Sequence, residues 1–424
     1  MESISLLRDR RILLGVTGGI AAYKVCTLAS HLTQAGAWVD VVMTESATRF
    51  VAPLTFEALT GRSAYTDMWR TSDHSASGAE GEGLPVHISH VGLAHAAELL
   101  VIAPATANTL AKLATGVADN LLTTLALAAS CPVLAVPAMD VGMWSHPATQ
   151  ANAATLRERG VRFAGPARGR MASGLEGEGR MIEPGEILGH VRLALGQGGV
   201  LAGRRVVVTA GPTCEPLDPV RFISNRSSGR QGFALVQAAL DQGASVTLVT
   251  GPTSLSTPVG AERVDVTSAQ EMHDVVLSAV ERADVLLMAA AVADYRPADV
   301  ARHKLKKGEG ELALRLARTP DILAAVAVRR AEARFPRVAV GFAAESEDLV
   351  KNARAKLEAK NLDLIIANDI SAGDAGFAAE TNRVMLIGRD GGVESLPLMS
   401  KVAVAEIVIE RVAGLLAHVE GQQG

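Results

Sequence analysis

Residues 99–120 read LLVIAPATANTLAKLATGVADN, and this stretch decides the fold. Residues 99–103 are five apolar positions in a row, the make-up of a buried strand. Pro104 ends that run, small and hydroxyl residues turn the chain, and from Thr109 onward the apolar spacing is helical. A strand that empties into a small-residue turn and a helix N-terminus suits an anion, because free backbone N–H groups and the helix dipole both face it. Alone, the stretch reads equally as an ordinary strand–loop–helix crossover, and its neighbours decide between the two.

Two upstream segments end in the same way. Residues 11–16 (RILLGV) make a strand that runs into Thr17-Gly18-Gly19-Ile20 and then an Ala-rich helix from Ala21 to about Gln34. Residues 38–43 make a second strand, ending at Thr44-Glu45-Ser46. Strand ends at Thr17, Thr44 and Pro104 predict a ligand crevice along one edge of a parallel sheet. Glycines at such an edge let the backbone approach a ligand or let a helix pack closely on a strand. The GxGxxG dinucleotide fingerprint is absent. A fourth strand, 132–136, precedes PAMDVGMW at 137–144, whose Met and Trp residues read as a plug on the core, with a lid over a planar ligand as the other possibility. His87, His90 and His95 lie between a polar Gly/Ser-rich loop at 70–85 and the strand at 99. Residues 167–181 (ARGRMASGLEGEGRM) show no periodicity and read as a flexible flap or a linker.

Composition narrows the class. A length of 424 residues allows two or three domains, and 48% hydrophobic residues supply large cores. Only 3% aromatics beside 40 glycines suits doubly wound α/β architecture with close helix–sheet packing. A net charge of −4 argues against a general nucleic-acid binder. No apolar run reaches the ~20 residues of a membrane span, and the N-terminal MESISLLRDRR lacks a signal-peptide core. Cys26, Cys131 and Cys214 have no metal-ligand spacing and read as reduced thiols. The expected compartment is the cytoplasm, with neither membrane nor nucleic acid as partner.

The second half repeats the plan. A helical segment from Gly185 to about Ala202 ends in GQGGVLAG, a domain boundary. Residues 204–210 (RRVVVTA) open a new sheet, followed by Gly211-Pro212-Thr213, a polar loop at 215–229 ending in NRSSG, and a helix from Gly229. The NRSSG run supplies a cap and several donors, and by itself is a capped turn. Strands are expected at 245–250, 284–290, 337–341 and 363–367, with helices near 268–282 and 349–361. This is a second doubly wound α/β domain. The basic run RHKLKK at 302–307 reads as a solvated loop or as lysines that close over a triphosphate.

Three long motifs, GVTGGIAAYK, PATANTLAKLATGVADNLLTT and PAMDVGMWSHPATQ, resemble the flavin-containing cysteine decarboxylases, and the part that follows resembles their fused ligase partner. Nearly the whole chain thus resembles the bifunctional phosphopantothenoylcysteine decarboxylase / phosphopantothenate–cysteine ligase family. The resemblance implies two Rossmann-like α/β domains, an FMN-dependent decarboxylase at 1–194 and a CTP-dependent ligase at 202–424. It puts FMN contacts on Gly18, Gly19, Ile20, Thr44, Pro104, Ala105, Thr106, Ala107, Asn108 and Met139. Flavin would oxidise the substrate's cysteinyl unit, the thioaldehyde would accept the electrons released with CO2, and a hydride and a proton would restore the saturated thiol. The catalytic histidine implied is His90, in HVGL, with His87 in HIS as runner-up; either can act as a base or hydrogen-bond partner near neutral pH.

Two positions depart from the family pattern. Asp140 stands where the family uses Asn to hold the substrate carboxylate; an ionised Asp would repel it, so Asp140 is expected to be protonated, displaced or otherwise engaged. Ser173 stands where the family flap carries Cys, and a hydroxyl is a far weaker acid than a thiol. The final reduction then needs another donor, such as water. In the ligase half, CTP would activate phosphopantothenate as an acyl-cytidylate, and the amine of cysteine would displace CMP. Asn225 corresponds to the residue of the acyl-cytidylate stage. Met288, Ala289, Ala290 and Asp294 would line the CTP pocket, with Lys304 from the basic loop and Pro320, Asp321, Ile322, Leu323, Phe342, Lys356 and Lys360 completing it. Mg2+ is expected with the triphosphate, although no carboxylate cluster marks a protein-built metal site. The family's habit implies a homo-oligomer, with trimers of the flavin domain and dimers of the ligase domain. The competing reading is a ligase whose flavin domain binds cofactor without turnover. A nicotinamide oxidoreductase is disfavoured by the missing fingerprint and ribose-binding acid.

Overall fold

The computed structural model describes residues 4–68, 89–307, 311–345, 348–369 and 381–421. The chain divides into two compact units, Met1–Leu195 and Gly196–Gly424.

In the first unit, strands β1 (Arg11–Val16), β2 (Trp38–Met43), β3 (Ala64–Tyr65), β4 (Leu99–Ala105), β5 (Val133–Pro137) and β6 (Arg162–Phe163) form one sheet in the order β3-β2-β1-β4-β5-β6. Every pairing in it is parallel. The chain therefore winds outward from β1 in both directions, and the switch point lies between β1 and β4, where ligands of open α/β sheets bind. Helices α1 (Ala22–Gln34), α2 (Glu45–Thr48), α3 (Pro53–Thr60), α4 (Ser89–Ala96), α5 (Ala107–Thr115), α6 (Leu121–Ala128), α7 (Val141–Ser145), α8 (Pro147–Glu158) and α9 (Pro184–Gly196) connect and flank the strands. Burial on both faces explains the continuous apolar runs. Ile12, Leu14 and Val16 pack with α1, and Leu13, Leu100 and Ile102 pack with Leu110, Leu122 and Leu125 on the other face.

Three local readings change. Strand β4 continues through Pro104 to Ala105, with its register on β5 slipping between Ile102 and Ala105; a proline without an N–H is tolerated where the ladder is irregular. Helix α5 starts at Ala107 rather than Thr109, because Thr106 caps it. Residues 167–181 are neither linker nor structureless: β7 (Ala167–Arg170) and β8 (Glu176–Arg180) pair as an antiparallel hairpin. The loop at 70–85 and His87 lie outside the described residues.

The second unit carries β9 (Arg205–Ala210), a ribbon of β10 (Cys214–Pro216) and β11 (Phe222–Ser224), β12 (Ser245–Thr250), β13 (Glu262–Asp265), β14 (Val285–Met288), a ribbon of β15 (Tyr295–Pro297) and β16 (Leu316–Arg318), β17 (Val338–Glu345), β18 (Leu364–Asp369), β19 (Thr381–Asn382), β20 (Val384–Gly388), β21 (Val393–Ser395) and β22 (Met399–Ser400). Its main sheet has the order β13-β12-β9-β14-β17-β18-β20-β21. The first six strands are parallel and the last two antiparallel. Helices α11 (Ala269–Ala279), α12 (Ile322–Ala333) and α13 (Leu349–Ala359) cover one face through Met272, Val326 and Leu357. Helices α10 (Arg230–Asp241) and α14 (Lys401–Gly421) lie against each other. The expected strand at 284–290 stops at Met288, while those at 337–341 and 363–367 run on to Glu345 and Asp369. Among the described residues no helix is long and apolar enough to cross a membrane.

Candidate active sites

The first crevice opens at the carboxyl ends of β1, β2 and β4. Thr17, buried at the end of β1, donates its hydroxyl to Pro104 O and so ties the first turn to the third. A Cβ on Gly18 would lie 2.3 Å from Ser46 Cβ and 2.9 Å from Ser46 C, so the β1 and β2 turns meet backbone to backbone. Gly19 has only Thr106 Cγ2 (3.7 Å) and Pro104 Cγ (3.9 Å) opposite. Thr44 caps α2, accepting from Ala47 N (3.3 Å). Thr106 caps α5, accepting from Thr109 N (3.4 Å). The result is a backbone-lined cradle between Gly19 and the 104–106 turn, with the α5 N-terminus beside it and Ile20 60% exposed at its lip. A planar, phosphate-bearing ligand fits these donors and that apolar edge.

Beyond β5, Trp144 is buried against the second face of the sheet, so it is a plug, while Met143 on the same short helix points out at 50% exposure. Asp140 caps α7, accepting from Gly142 N (3.0 Å) with one oxygen and from Ser173 Oγ (2.6 Å) with the other. The Ser173 hydroxyl and then the Gly142 N–H hold the Asp140 carboxyl below the usual range. Of the three states open to Asp140, protonation is therefore the one the geometry opposes: it is an ionised cap engaged with the flap. The hairpin is seated on the same loop, with Met139 N donating to Gly179 O (2.9 Å). Gly179 has φ +151°, and a Cβ there would lie 2.4 Å from Met139 O. His90 lies in the second position of α4; nothing of its side chain belongs to the described structure. His95, on the same helix, is exposed.

The second crevice, at the ends of β9 and β14, is stitched by side chain-to-backbone bonds across long stretches of chain. Asn225 Nδ2 donates to Ala291 O (3.0 Å), which also accepts from Thr213 N (3.2 Å). Thr209 Oγ1 accepts from Ala290 N (3.1 Å), and Thr213 Oγ1 from Ala293 N (3.0 Å). Asn225 and residues 288–294 are thereby brought together. Met288 is buried, as are Ile322 and Leu323, so these three offer a ligand backbone or a narrow edge only. Asp321 caps α12 and pairs with Lys360, while Lys356 Nζ donates to Phe342 O (3.3 Å). Burial pushes the Asp321 carboxyl up, but Lys360, the Ala324 N–H and the Lys356 charge together hold it below the usual range.

The basic loop has an anchor that the sequence reading missed. Asp218, buried, accepts from Val220 N and Arg221 N (2.8 Å each), from the Arg221 guanidinium (2.6 Å) and from Leu305 N (3.1 Å). The Arg221 contact, with the backbone donors, holds the Asp218 carboxyl far below the usual range. Arg221 in turn donates to Leu305 O (2.7 Å), next to exposed Lys304. The D-P-x-R turn at 218–221 is the signal that could have found it. Among the described residues no group of three or more His, Cys, Asp or Glu converges as metal ligands do.

Residues 2–195 match the family described as Flavoprotein, and residues 201–416 match the DNA/pantothenate metabolism flavoprotein C-terminal domain. The coenzyme A biosynthesis bifunctional protein CoaBC of Bacillus subtilis is 46% identical over 413 residues, 97% of this chain and 98% of its own. Its counterpart in Mycobacterium tuberculosis is 46% identical over 420 residues, covering 96% of this chain and 97% of its own. The chain belongs to the family of coenzyme A biosynthesis bifunctional proteins. Membership extends across both units, so both crevices belong to one bifunctional enzyme, one flavoprotein and one ligase half, and no dehydrogenase reading remains.

Proposed function

We propose that the ligase half, 202–424, joins 4'-phosphopantothenate to cysteine at the expense of CTP, and that the flavin half, 1–194, decarboxylates the product to 4'-phosphopantetheine. The observation that carries this is the full-length likeness to bifunctional relatives, on a chain whose two units each open a crevice at a sheet's carboxyl edge.

In the ligase half, the carboxylate of phosphopantothenate attacks the α-phosphorus of CTP and pyrophosphate leaves; the amine of cysteine then attacks the acyl carbon and CMP leaves. Asn225, pinned to Ala291, positions the acyl-cytidylate beside residues 288–290 and Asp294. Lys304 and Lys360 neutralise charge that grows on the phosphates, and Mg2+ accompanies the triphosphate. Pro320, Asp321, Phe342 and Lys356 frame the base. In the flavin half, Gly18, Gly19, Thr44 and the 104–108 turn hold FMN, which supplies the two-electron redox chemistry around the loss of CO2. Ile20 and Met139 border it, and His90 is the base or hydrogen-bond partner. Asp140 and Ser173 close the hairpin over the crevice. With its proton committed to Asp140, Ser173 is a poor proton donor, and water supplies the last proton. The assembly is a homo-oligomer, with trimers of the flavin half and dimers of the ligase half, acting in the cytoplasm.

The test is a coupled assay with phosphopantothenate, CTP and cysteine that follows pyrophosphate and CO2 separately. Both are expected. Pyrophosphate without CO2 leaves a ligase with a silent flavin half, and neither product refutes the reading.

A further inference from the structure

A relay of side-chain amides joins α10, α14 and the small β19–β22 ladder of the ligase half. Gln231, in the first turn of α10, donates Nε2 to Lys401 O (3.2 Å), and Asn382 Nδ2 donates to Gln231 Oε1 (2.9 Å). Lys401 O is a backbone carbonyl and can only accept. It therefore fixes which end of the Gln231 amide is which, and Gln231 Oε1 fixes Asn382 in turn. Asn382 Oδ1 is left facing away from the relay. Asn382 is 5% exposed, and that oxygen is buried with no hydrogen-bond partner.

A second such oxygen lies on the same face of the sheet. Asn368 Oδ1 is also buried and unpartnered. Asn368 sits near the carboxyl end of β18, beside Ala344 and opposite Val384, and Asn382 comes two residues before Val384. Directly opposed residues share a face, and so do residues two apart along a strand. Ala339, Ala343, Ile365 and Ala367 pack with the α11–α13 core, so Phe342, Asn368 and Asn382 look the other way, toward α10 and α14. Phe342 is half-buried and in register with Ile366. One aromatic ring and two open acceptor oxygens thus share the edge where α10 begins, directly after the loop that carries Asn225.

Buried acceptors call for N–H or O–H donors. We infer that Asn382 and Asn368 read the exocyclic amine of the nucleotide base and so select CTP over UTP. The inference rests on the ligase reading above, and it adds a polar edge to the base site that Phe342 frames. The amine of cytosine carries two N–H donors on one nitrogen, in the plane of a ring that an aromatic side chain can stack upon. Uracil presents a carbonyl oxygen at that position, which would face the two asparagine oxygens and leave them unpaired. The other two substrates match less closely. Paired acceptors would hold the amine of cysteine as the ammonium, a form that cannot attack the acyl carbon. Phosphopantothenate carries its hydroxyl and amide N–H on separate atoms of a flexible chain.

The experiment measures pyrophosphate release from CTP and from UTP by the full chain and by its Asn382→Ala and Asn368→Ala variants. The ratio of kcat/KM for CTP to that for UTP is expected to fall about tenfold or more in each variant. KM for phosphopantothenate and for cysteine should change less than about twofold. Asn368→Asp keeps an acceptor in place and should keep the preference for CTP. A purely structural loss would lower both nucleotides alike and leave the ratio where it was. If Asn382→Ala, which also releases Gln231, does not fold, Asn368→Ala carries the test. An unchanged ratio overturns the inference, because internal water would then be the partner of both oxygens. A rise in KM confined to cysteine or to phosphopantothenate overturns it as well. If the wild type releases pyrophosphate from neither nucleotide, the ligase reading fails by itself. CTP should then still raise the melting temperature of the wild type more than UTP does; equal shifts overturn the base-reading role.

Discussion

The two crevices sit at equivalent edges of two doubly wound sheets, yet they are held together differently. In the flavin half the site is built from local caps: Thr44, Thr106 and Asp140 each close the first turn of the helix that follows them. Two longer-range side-chain contacts are added to these caps: the Thr17 hydroxyl ties the β1 turn to Pro104 O, and Ser173 fastens the flap to Asp140. In the ligase half Asn225, Thr209, Thr213 and Asp218 each reach main chain 66 to 87 residues away. A site made of local caps yields to point changes one turn at a time, whereas a stitched site transmits them.

The contrast can be broken experimentally. Asn225→Ala should slow pyrophosphate release roughly 100-fold, the scale expected when a reacting group is misplaced by about an ångström, and leave CO2 release from phosphopantothenoylcysteine unchanged. An equal fall in both activities would mean that the halves are not independent. Next in size, the double change Asp140→Asn with Ser173→Cys replaces a committed hydroxyl with a thiol whose pKa is near 8.5. The rate of saturated product formation should rise about tenfold, as read by product analysis; a rate equal to wild type would show that water already serves. Asp218→Ala frees Leu305 and should raise KM for CTP about fivefold through the basic loop, measured by pyrophosphate release. Gly18→Ala forces the β1 and β2 turns apart and should cost about 1–3 kcal/mol of stability as well as flavin, checked by melting and by the yellow absorbance of the purified protein.

The smallest effect is a titration. Asp140 is held below the ordinary aspartate value, so its charged contribution is complete above about pH 3.9 and is lost as pH falls through the lower folded value. Ser173→Ala removes the largest cause, and the loss should move up toward the ordinary value, as followed by NMR of the Asp140 carboxyl. An unmoved titration would mean that the Gly142 cap alone sets it.

Much of this architecture is legible in the amino-acid sequence alone. Strands at 11–16, 38–43 and 245–250 coincide with their sequence expectations because runs buried on both faces end abruptly in polar turns. Strand and helix edges at 104–109 shifted by two residues because a threonine cap and a register slip leave no mark on hydrophobic spacing. The 167–180 hairpin was invisible for a related reason: burial alternates along both strands, but the covered positions are Ala167, Gly169, Gly177 and Gly179, so no large apolar side chain marks the alternation. The antiparallel edge of β20 and β21 escaped because those strands are short and follow a long gap in the pattern. In the sites, residue types at Asn225, Asp140 and Ser173 could be named, but their joining could not. Asn225 meets Ala291 66 positions later, and periodicity carries no information over such a distance.

The seat of the hairpin has a consequence for how this chain can vary over generations. At Gly179 the backbone lies on Met139 O so closely that one added carbon is a wedge. At the tip, Ala172, Ser173, Gly174 and Leu175 stand in solvent with room around them. Drift is thus barred from the stem and permitted at the tip, where a side chain can be exchanged while Gly179 still seats the stem on Met139. A serine at 173 is the kind of experiment such an arrangement lets a lineage perform.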